Sequence, residues 1–189
     1  MQTTDAISVL KNFLNLQAVS SIIKYLNKIE YQEAFIIDSE GKHIKDTNVR
    51  SVENQLFSNH SPSMTNVHWA NFFEWSFKKA IDEYSRRFDN NYVPEIETIT
   101  ALKYKAGGFY KKHSDACKTA HRTYSLIYLL NNDYEGGSLI FRNPLTNEII
   151  KKIDKEPNQL ILWPSNFLYP HEVTKVTKGI RYSIVSWAK

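Results

Sequence analysis

The chain of 189 residues contains a single cysteine, Cys117. One cysteine excludes an intramolecular disulfide framework and a metal site built from cysteines alone. Metal ligands therefore have to come from histidine and carboxylate side chains. The scarcity of cysteine also indicates a reducing compartment.

Long hydrophobic runs are missing as well. No apolar stretch approaches the roughly 20 residues that a membrane-spanning helix needs, and the chain does not open with a basic segment followed by an apolar one. From these features we expect a cytoplasmic protein with no membrane partner.

The charged residues contain no long block of one sign. The 24 lysines and arginines face 20 aspartates and glutamates, and the formal net charge is +4. We therefore expect no nucleic-acid partner. With 42% hydrophobic and 13% aromatic residues, the composition predicts one globular domain over residues 1–189. The oligomeric state is left open.

Two segments in the N-terminal half show helical spacing of apolar residues. In residues 18–29 and 69–88 these residues recur every three or four positions, which places them on one helical face. Residues 38–66 lie between the two segments, are polar and lack regular periodicity, so we predict a long loop that is either functional or mobile.

The C-terminal half is rich in short β-type runs. They lie at residues 98–104, 123–130, 138–141, 148–153, 159–163 and 180–187. Five of the six glycines lie among them, where tight turns need glycine. The pattern predicts an α+β protein whose core is mainly β. We expect an antiparallel jelly roll over residues 97–189, covered by helices and a loop from residues 1–96.

Two ligand-type side chains, His113 and Asp115, are two residues apart, so in an extended strand both would project to the same face. His171 follows 56 residues after Asp115, and Arg181 lies ten residues further on. Two histidines and one carboxylate can hold one face of an octahedral metal ion and leave other positions open. An arginine can pair with a carboxylate through two parallel hydrogen bonds.

The same residues are also compatible with simpler roles and with different chemistry. A pair such as His113 and Asp115 is common on solvated strand faces, and His171 alone could be a structural histidine. A zinc hydrolase could use the same three ligands. It would need a general base, and Glu172 is a poor candidate because neighbouring strand residues face opposite sides.

Several motifs together resemble one known family. They are residues 104–115 (YKAGGFYKKHSD), residues 134–139 (YEGGSL), Trp163-Pro164 and residues 171–181. In order and spacing they resemble the prolyl 4-hydroxylase superfamily of Fe(II)/2-oxoglutarate-dependent dioxygenases, whose fold is a double-stranded β-helix, another name for the jelly roll. Upstream, residues 46–51 (DTNVRS) are similar to the mobile substrate loop of prolyl 4-hydroxylases.

The resemblance implies roles for particular residues. His113, Asp115 and His171 would bind iron(II) as the catalytic triad, and Arg181 would pair with the distal carboxylate of 2-oxoglutarate. Tyr104 would donate its hydroxyl to this cosubstrate. The pocket around the cosubstrate would be lined by Ile127, Leu139, Val173 and Trp187. Ascorbate is implied as a possible further cofactor.

The resemblance also suggests a substrate. Arg50 lies in the segment that resembles the substrate loop, and Arg122 matches an arginine implicated in peptide binding in collagen-type members, so we expect hydroxylation of a peptidyl proline, with succinate and CO2 as by-products. Collagen-type enzymes usually carry lysine where Arg181 stands, which leaves the substrate open. The alternatives are a free amino acid or other small molecule as substrate, or a catalytically silent jelly-roll binding module.

Overall fold

A computed structural model describes residues 3–37, 42–89, 92–118 and 120–189, apart from the side chains of Ile37 and His43. The helices are a 3-10 helix (Thr3–Ala6), α1 (Leu16–Leu26) and α2 (Met64–Arg86). The strands are β1 (Ser8–Lys11), β2 (Gln32–Glu33), β3 (Ile36–Ile37), β4 (His43–Ile44), β5 (Arg50–Ser51), β6 (Glu53–Phe57), β7 (Ile96–Tyr104), β8 (Phe109–His113), β9 (Tyr124–Leu129), β10 (Glu135–Gly136), β11 (Leu139–Arg142), β12 (Ile149–Lys152), β13 (Gln159–Pro164), β14 (His171–Val173), β15 (Val176–Lys178) and β16 (Arg181–Ala188).

The strands build two main antiparallel sheets. The larger sheet has the order β1-β13-β9-β16-β7-β6-β2, and the smaller has the order β12-β11-β14-β8-β5. Side chains from both sheets share one apolar core, so the sheets pack face to face as a double-stranded β-helix. The predicted fold class, a mainly β jelly roll covered by N-terminal helices, is confirmed.

The two predicted helices are present with shifted ends. α2 begins at Met64 because the side chain of Ser63 caps it and accepts a hydrogen bond from the backbone N–H of Asn66. In its apolar stripe Phe73 and Phe77 are fully buried, whereas Phe72 is partly buried. α1 ends at Leu26, so Ile29 packs against the core from outside the helix.

The central strands of the larger sheet bury both of their faces. On β9, Leu126 and Tyr128 pack in the core shared with the helices, whereas Ile127 and Leu129 pack in the core between the sheets. This alternation follows from the two-residue period of a strand. The face between the sheets carries the candidate site.

The predicted loop over residues 38–66 is wrong for part of its length. β4, β5 and β6 lie within it, and β6 pairs with β7 from Glu53 opposite Lys103 to Phe57 opposite Ile99. β6 is half-buried and reads ENQLF, so it lacks the apolar run on which strand prediction depends. Residues 38–41 of the predicted loop lie outside the described residues.

Seven further strands of the described residues coincide with no predicted β-type run, namely β1, β2, β3, β8, β10, β14 and β15. Each has two to five residues, too few for a periodic signal. Within the described residues, no helix is long and apolar enough to cross a membrane.

Candidate active site

The two candidate histidine ligands lie side by side on neighbouring strands of the smaller sheet. His113 is the last residue of β8 and His171 the first of β14, and the two are register partners. Asp115 lies in a bend after β8, so its placement on the same strand as His113 was wrong. The bend, rather than the two-residue period of a strand, turns its carboxylate toward the histidines.

Three ligand atoms from these side chains converge. The Nε2 atom of His113 lies 3.7 Å from Oδ1 of Asp115, and the Nε2 atom of His171 lies 3.5 Å from Oδ2. All three ligand atoms lie within 4.8 Å of one another. This donor set of two imidazoles and one carboxylate suits Fe(II) with open coordination positions.

Backbone carbonyls hold both imidazole rings in the orientation that a metal requires. Nδ1 of His113 donates to the carbonyl of Lys111 over 2.8 Å, and Nδ1 of His171 donates to the carbonyl of Tyr169 over 3.1 Å. This leaves Nε2 of each ring as the nitrogen that can act as a ligand.

The protonation states also suit metal binding. Burial, together with the nearby His171, lowers the pKa of His113 from 6.5 to about 3, so its imidazole is neutral at pH 7. Burial alone would raise the pKa of Asp115, but the two histidines and a hydrogen bond from Ser125 lower it below 3.8. The site thus presents a neutral His113 imidazole beside the carboxylate anion of Asp115.

Two buried serines support the carboxylate. Ser125 Oγ donates to Oδ2 of Asp115 over 2.6 Å and lies 2.7 Å from Ser165 Oγ. Both serines are 1% exposed. Sequence reasoning missed them, although a serine inside the apolar run of β9 was a usable signal, because a buried hydroxyl needs a partner.

Aromatic side chains pack around the two imidazole rings. The Tyr110 ring is stacked on His113 with a centroid distance of 3.6 Å, and the Trp163 ring meets His171 edge-on at 4.9 Å. These contacts limit the rotation of the ligand rings. Sequence reasoning assigned no role to Tyr110.

Arg181 is a buried cation that could bind an anion. It is 1% exposed and lies on β16 directly opposite Tyr104 of β7, with its guanidinium carbon 5.0 Å from the centre of the Tyr104 ring. Its Nη1 donates to Ser183 Oγ over 2.8 Å. Nε and Nη2, which share one edge of the guanidinium, are buried and have no hydrogen-bond partner. A carboxylate would satisfy this edge through two hydrogen bonds, so the residues fit a dicarboxylate such as 2-oxoglutarate.

A narrow pocket of about 30 Å³ lies between the sheets at the ligands. Tyr104, Ile127, Val173 and Trp187 line it together with the three ligand residues. Leu139 is not at its wall, but is buried opposite Val173 on the neighbouring strand. The open volume corresponds to about one water molecule.

The structure places Arg50 at the mouth of this pocket. Its guanidinium carbon lies 4.6 Å from the centre of the Tyr110 ring, and its Nη1 donates to the carbonyl of Phe35. Nε is buried without a partner. Tyr110 is thus packed between Arg50 and His113, which links the expected substrate residue to a candidate ligand.

Arg122 lies beside the pocket, and all three of its guanidinium nitrogens donate hydrogen bonds. Nε and Nη2 donate to the carboxylate of Glu97, and Nη1 donates to the backbone carbonyl of Asp115. The guanidinium also covers the Trp187 ring at 3.9 Å. These contacts fix the segment that carries Asp115 and one wall of the pocket.

Residues 99–189 match the profile of the 2OG-Fe(II) oxygenase superfamily. Over these residues, just under half of its length, the chain is similar to members of this superfamily. The matched segment contains the triad, Arg181 and the two supporting serines.

Curated relatives match over part of their length. A PKHD-type hydroxylase of Synechococcus sp. (strain JA-2-3B'a(2-13)) is 31% identical over 102 residues, which cover 50% of this chain and 43% of the relative. Human prolyl 3-hydroxylase 3 is 31% identical over 67 residues, 35% of this chain and 9% of the relative. The chain therefore spans less than half the length of these relatives.

Solved structures share the fold. A prolyl hydroxylase from Trichoplax adhaerens, solved with a peptide fragment of the hypoxia inducible factor oxygen degradation domain, has 18% identity and a TM-score of 0.74 over 98% of this chain and 84% of that one. A Pseudomonas putida prolyl-4-hydroxylase has 18% identity and a TM-score of 0.67 over 97% and 92%. At this identity the likeness is one of fold.

Proposed function

We propose that this chain is an Fe(II)- and 2-oxoglutarate-dependent dioxygenase that hydroxylates a C–H bond, with a peptidyl proline as the first substrate to test. One observation carries the proposal. In the core between the two sheets, a His-Asp-His cluster shares its pocket with Tyr104, whose ring lies beneath the buried, half-partnered guanidinium of Arg181.

In this proposal His113, Asp115 and His171 hold iron(II). The backbone carbonyls at Nδ1 keep each Nε2 available, and Ser125 keeps the carboxylate turned toward the histidines. Such hydrogen bonds behind the ligands fix ring orientation and tune metal affinity.

Arg181 holds 2-oxoglutarate by its distal carboxylate, through Nε and Nη2. Tyr104 would donate its hydroxyl to the cosubstrate, while Ile127, Val173 and Trp187 form the wall and Leu139 packs beside Val173 on the neighbouring strand. When bound, iron(II) and 2-oxoglutarate supply the oxidising chemistry, in which dioxygen, 2-oxoglutarate and a C–H bond yield the alcohol, succinate and CO2. The protein's part is to hold the target carbon near the metal and to exclude water.

Three considerations support a peptide substrate. The PKHD-type and prolyl hydroxylase relatives are named for hydroxylases, and the Trichoplax enzyme was solved with a peptide. Arg50 lines both the metal pocket and a larger open cleft. An open approach suits a chain that passes over the site, whereas a small molecule needs a closed chamber. Arg122 would influence substrate binding indirectly, by holding the ring of Trp187, which lines the pocket.

A zinc hydrolase built on the same ligands is less well supported. Glu172, the carboxylate next to His171, lies on the alternate face of β14 and accepts two hydrogen bonds from Arg142. A carboxylate that is engaged in this way is a poor general base.

Iron(II) titration under anaerobic conditions tests the metal site. We expect one equivalent to bind at micromolar concentration, with binding lost in His113→Ala. A chain that binds no iron(II), or whose affinity is the same after His113→Ala, would contradict the proposal and favour a silent binding module.

The substrate is tested by succinate formation. Proline-containing peptides and a panel of free amino acids are supplied with 2-oxoglutarate, and the products are examined by mass spectrometry for the gain of one oxygen atom. We expect peptides to stimulate succinate formation. Stimulation by a free amino acid alone would replace the peptide with a small-molecule substrate.

A further inference from the structure

An open cleft of about 230 Å³ adjoins the metal pocket. Its walls come from β2, from β5 with the following Val52, and from the ends of β6 and β7. Arg50 lines both the cleft and the metal pocket, so the two cavities are neighbours at this side chain. Of the residues that line the cleft, the proposed function uses Arg50 alone.

The cleft carries more positive than negative charge. Four cations line it (Lys45, Arg50, Lys103 and Lys105) against two carboxylates (Glu33 and Glu53). The carboxylates are already engaged, because Glu33 pairs with Lys45 and Glu53 pairs with Lys105. The difference of four and two leaves two positive charges for a ligand.

The remaining cations are Lys103 and Arg50. Lys103 Nζ lies 4.9 Å from the centre of the Tyr31 ring, and no carboxylate of the described segments forms an ion pair with it. Arg50 rests on the Tyr110 ring and donates through Nη1, whereas its Nε is buried without a hydrogen-bond partner. The cleft therefore holds strong donors that lack an anionic acceptor.

We infer that this cleft binds a carboxylate side chain of the peptide substrate, close in sequence to the hydroxylated residue. The inference rests on the proposed function and names its substrate class as acidic peptides. An extended peptide advances about 3.3 Å per residue, so a chain that leaves the pocket past Arg50 reaches the cleft within a few residues. A charge-assisted hydrogen bond from a lysine or arginine favours glutamate over glutamine at that position.

The experiment measures the affinity of labelled peptides by fluorescence anisotropy. Three proline-containing peptides are compared, which differ only in carrying Glu, Gln or Lys at one position; the position is moved through the four residues on either side of the proline. The unmodified chain is used both without metal and with iron(II) and 2-oxoglutarate under anaerobic conditions. At one or more positions we expect the Glu peptide to bind about tenfold more tightly than the Gln peptide, and the Lys peptide more weakly still.

The variant Lys103→Gln removes one unpaired cation of the cleft. We expect it to reduce the Glu-over-Gln preference to less than about threefold while the affinity for the Gln peptide stays unchanged. Lys152→Gln is the matched control, because Lys152 is an exposed lysine on the edge strand β12, outside the cleft. It should retain the full preference.

The outcomes separate this inference from the proposed function. Equal binding of the Glu and Gln peptides at every position, an unchanged preference in Lys103→Gln, or no binding of any peptide overturns the inference. Failure of iron(II) binding and of 2-oxoglutarate consumption would instead overturn the proposed function, while the metal-free peptide affinities still report on the cleft.

Discussion

The two faces of the larger sheet are built from the same strands but differ in chemistry. The face toward the helices packs aromatic and aliphatic side chains, such as Phe73, Phe77 and Tyr128. The face toward the smaller sheet packs an apolar core that also encloses buried ionisable groups, namely Arg181 of this sheet, His171 of the smaller sheet and Asp115 of the bend after β8. One face can therefore be optimised for packing, while the other bears the cost of desolvated charge.

This division depends on the two-residue period of a strand. On β16, Arg181, Ser183 and Val185 face the smaller sheet, whereas Tyr182 and Ile184 face the helices. A substitution on one face should consequently change stability and leave the site intact, and a substitution on the other should do the reverse. Single substitutions on each face test that separation.

The largest expected effect is on the helix face. Phe73→Ala removes a fully buried ring that contacts Phe57, Phe77 and Tyr128, and should lower the free energy of unfolding by about 3–5 kcal/mol. Urea denaturation measures this loss. Iron(II) affinity at a temperature where the variant is folded should remain within about twofold of the unmodified chain; a much larger loss would show that the two faces are coupled.

On the site face, Asp115→Ala removes the only carboxylate of the ligand cluster. Iron(II) affinity should fall more than about a hundredfold, as measured by anaerobic titration. The metal-free protein should lose some stability, because the fold favours the Asp115 carboxylate and Ser125 loses its acceptor, but less than Phe73→Ala loses. A fall in stability as large as that of Phe73→Ala would contradict the separation of stability and function.

Arg181→Met tests the cosubstrate anchor. Loss of the two guanidinium donors should raise the KM for 2-oxoglutarate by about thirtyfold to a hundredfold, and iron(II) affinity should change little. Arg181→Lys keeps the charge but lacks two parallel donors. Its KM for 2-oxoglutarate should therefore lie between those of the unmodified chain and of Arg181→Met. If both variants keep the original KM, another group binds the cosubstrate.

Ser125→Ala removes the hydroxyl that donates to Asp115. We expect iron(II) to bind about tenfold more weakly, with Ser125→Thr as the control that retains the hydroxyl. Unchanged affinity in the alanine variant would mean that the packing around the carboxylate suffices to orient it.

The smallest effect concerns the ion pair of Glu97 and Arg122 beside the pocket. The hydrogen bond from Arg122 lowers the pKa of Glu97 below 4.5, so the folded chain binds fewer protons there than the unfolded chain. This pair should stabilise the fold above about pH 4.5 and lose that contribution as the pH falls. Glu97→Gln should remove under about 1 kcal/mol of this pH dependence, as measured by denaturation between about pH 3 and 6.

The sequence could predict features that depend on neighbouring residues or on the order of motifs along the chain. Helical spacing identified the stripe of α2, and apolar runs identified the central strands β7, β9, β13 and β16. The order and spacing of His113, Asp115, His171 and Arg181 predicted a cluster that the structure brings to one region. These signals are readable because each depends on neighbouring positions or on a motif in linear order.

Tertiary structure alone decided the rest. Ser165 approaches Ser125 across 40 positions of sequence, and Lys103 and Arg50 line one cleft only because β6 pairs with β7 while β5 pairs with β8. Short polar strands carry almost no periodic signal. The sheet that each of them joins decides its pairing, which is the larger sheet for β6 and the smaller sheet for β5. The sequence therefore determined which residues could bind a metal and an oxoacid, whereas packing decided which other residues support them and where a substrate can approach.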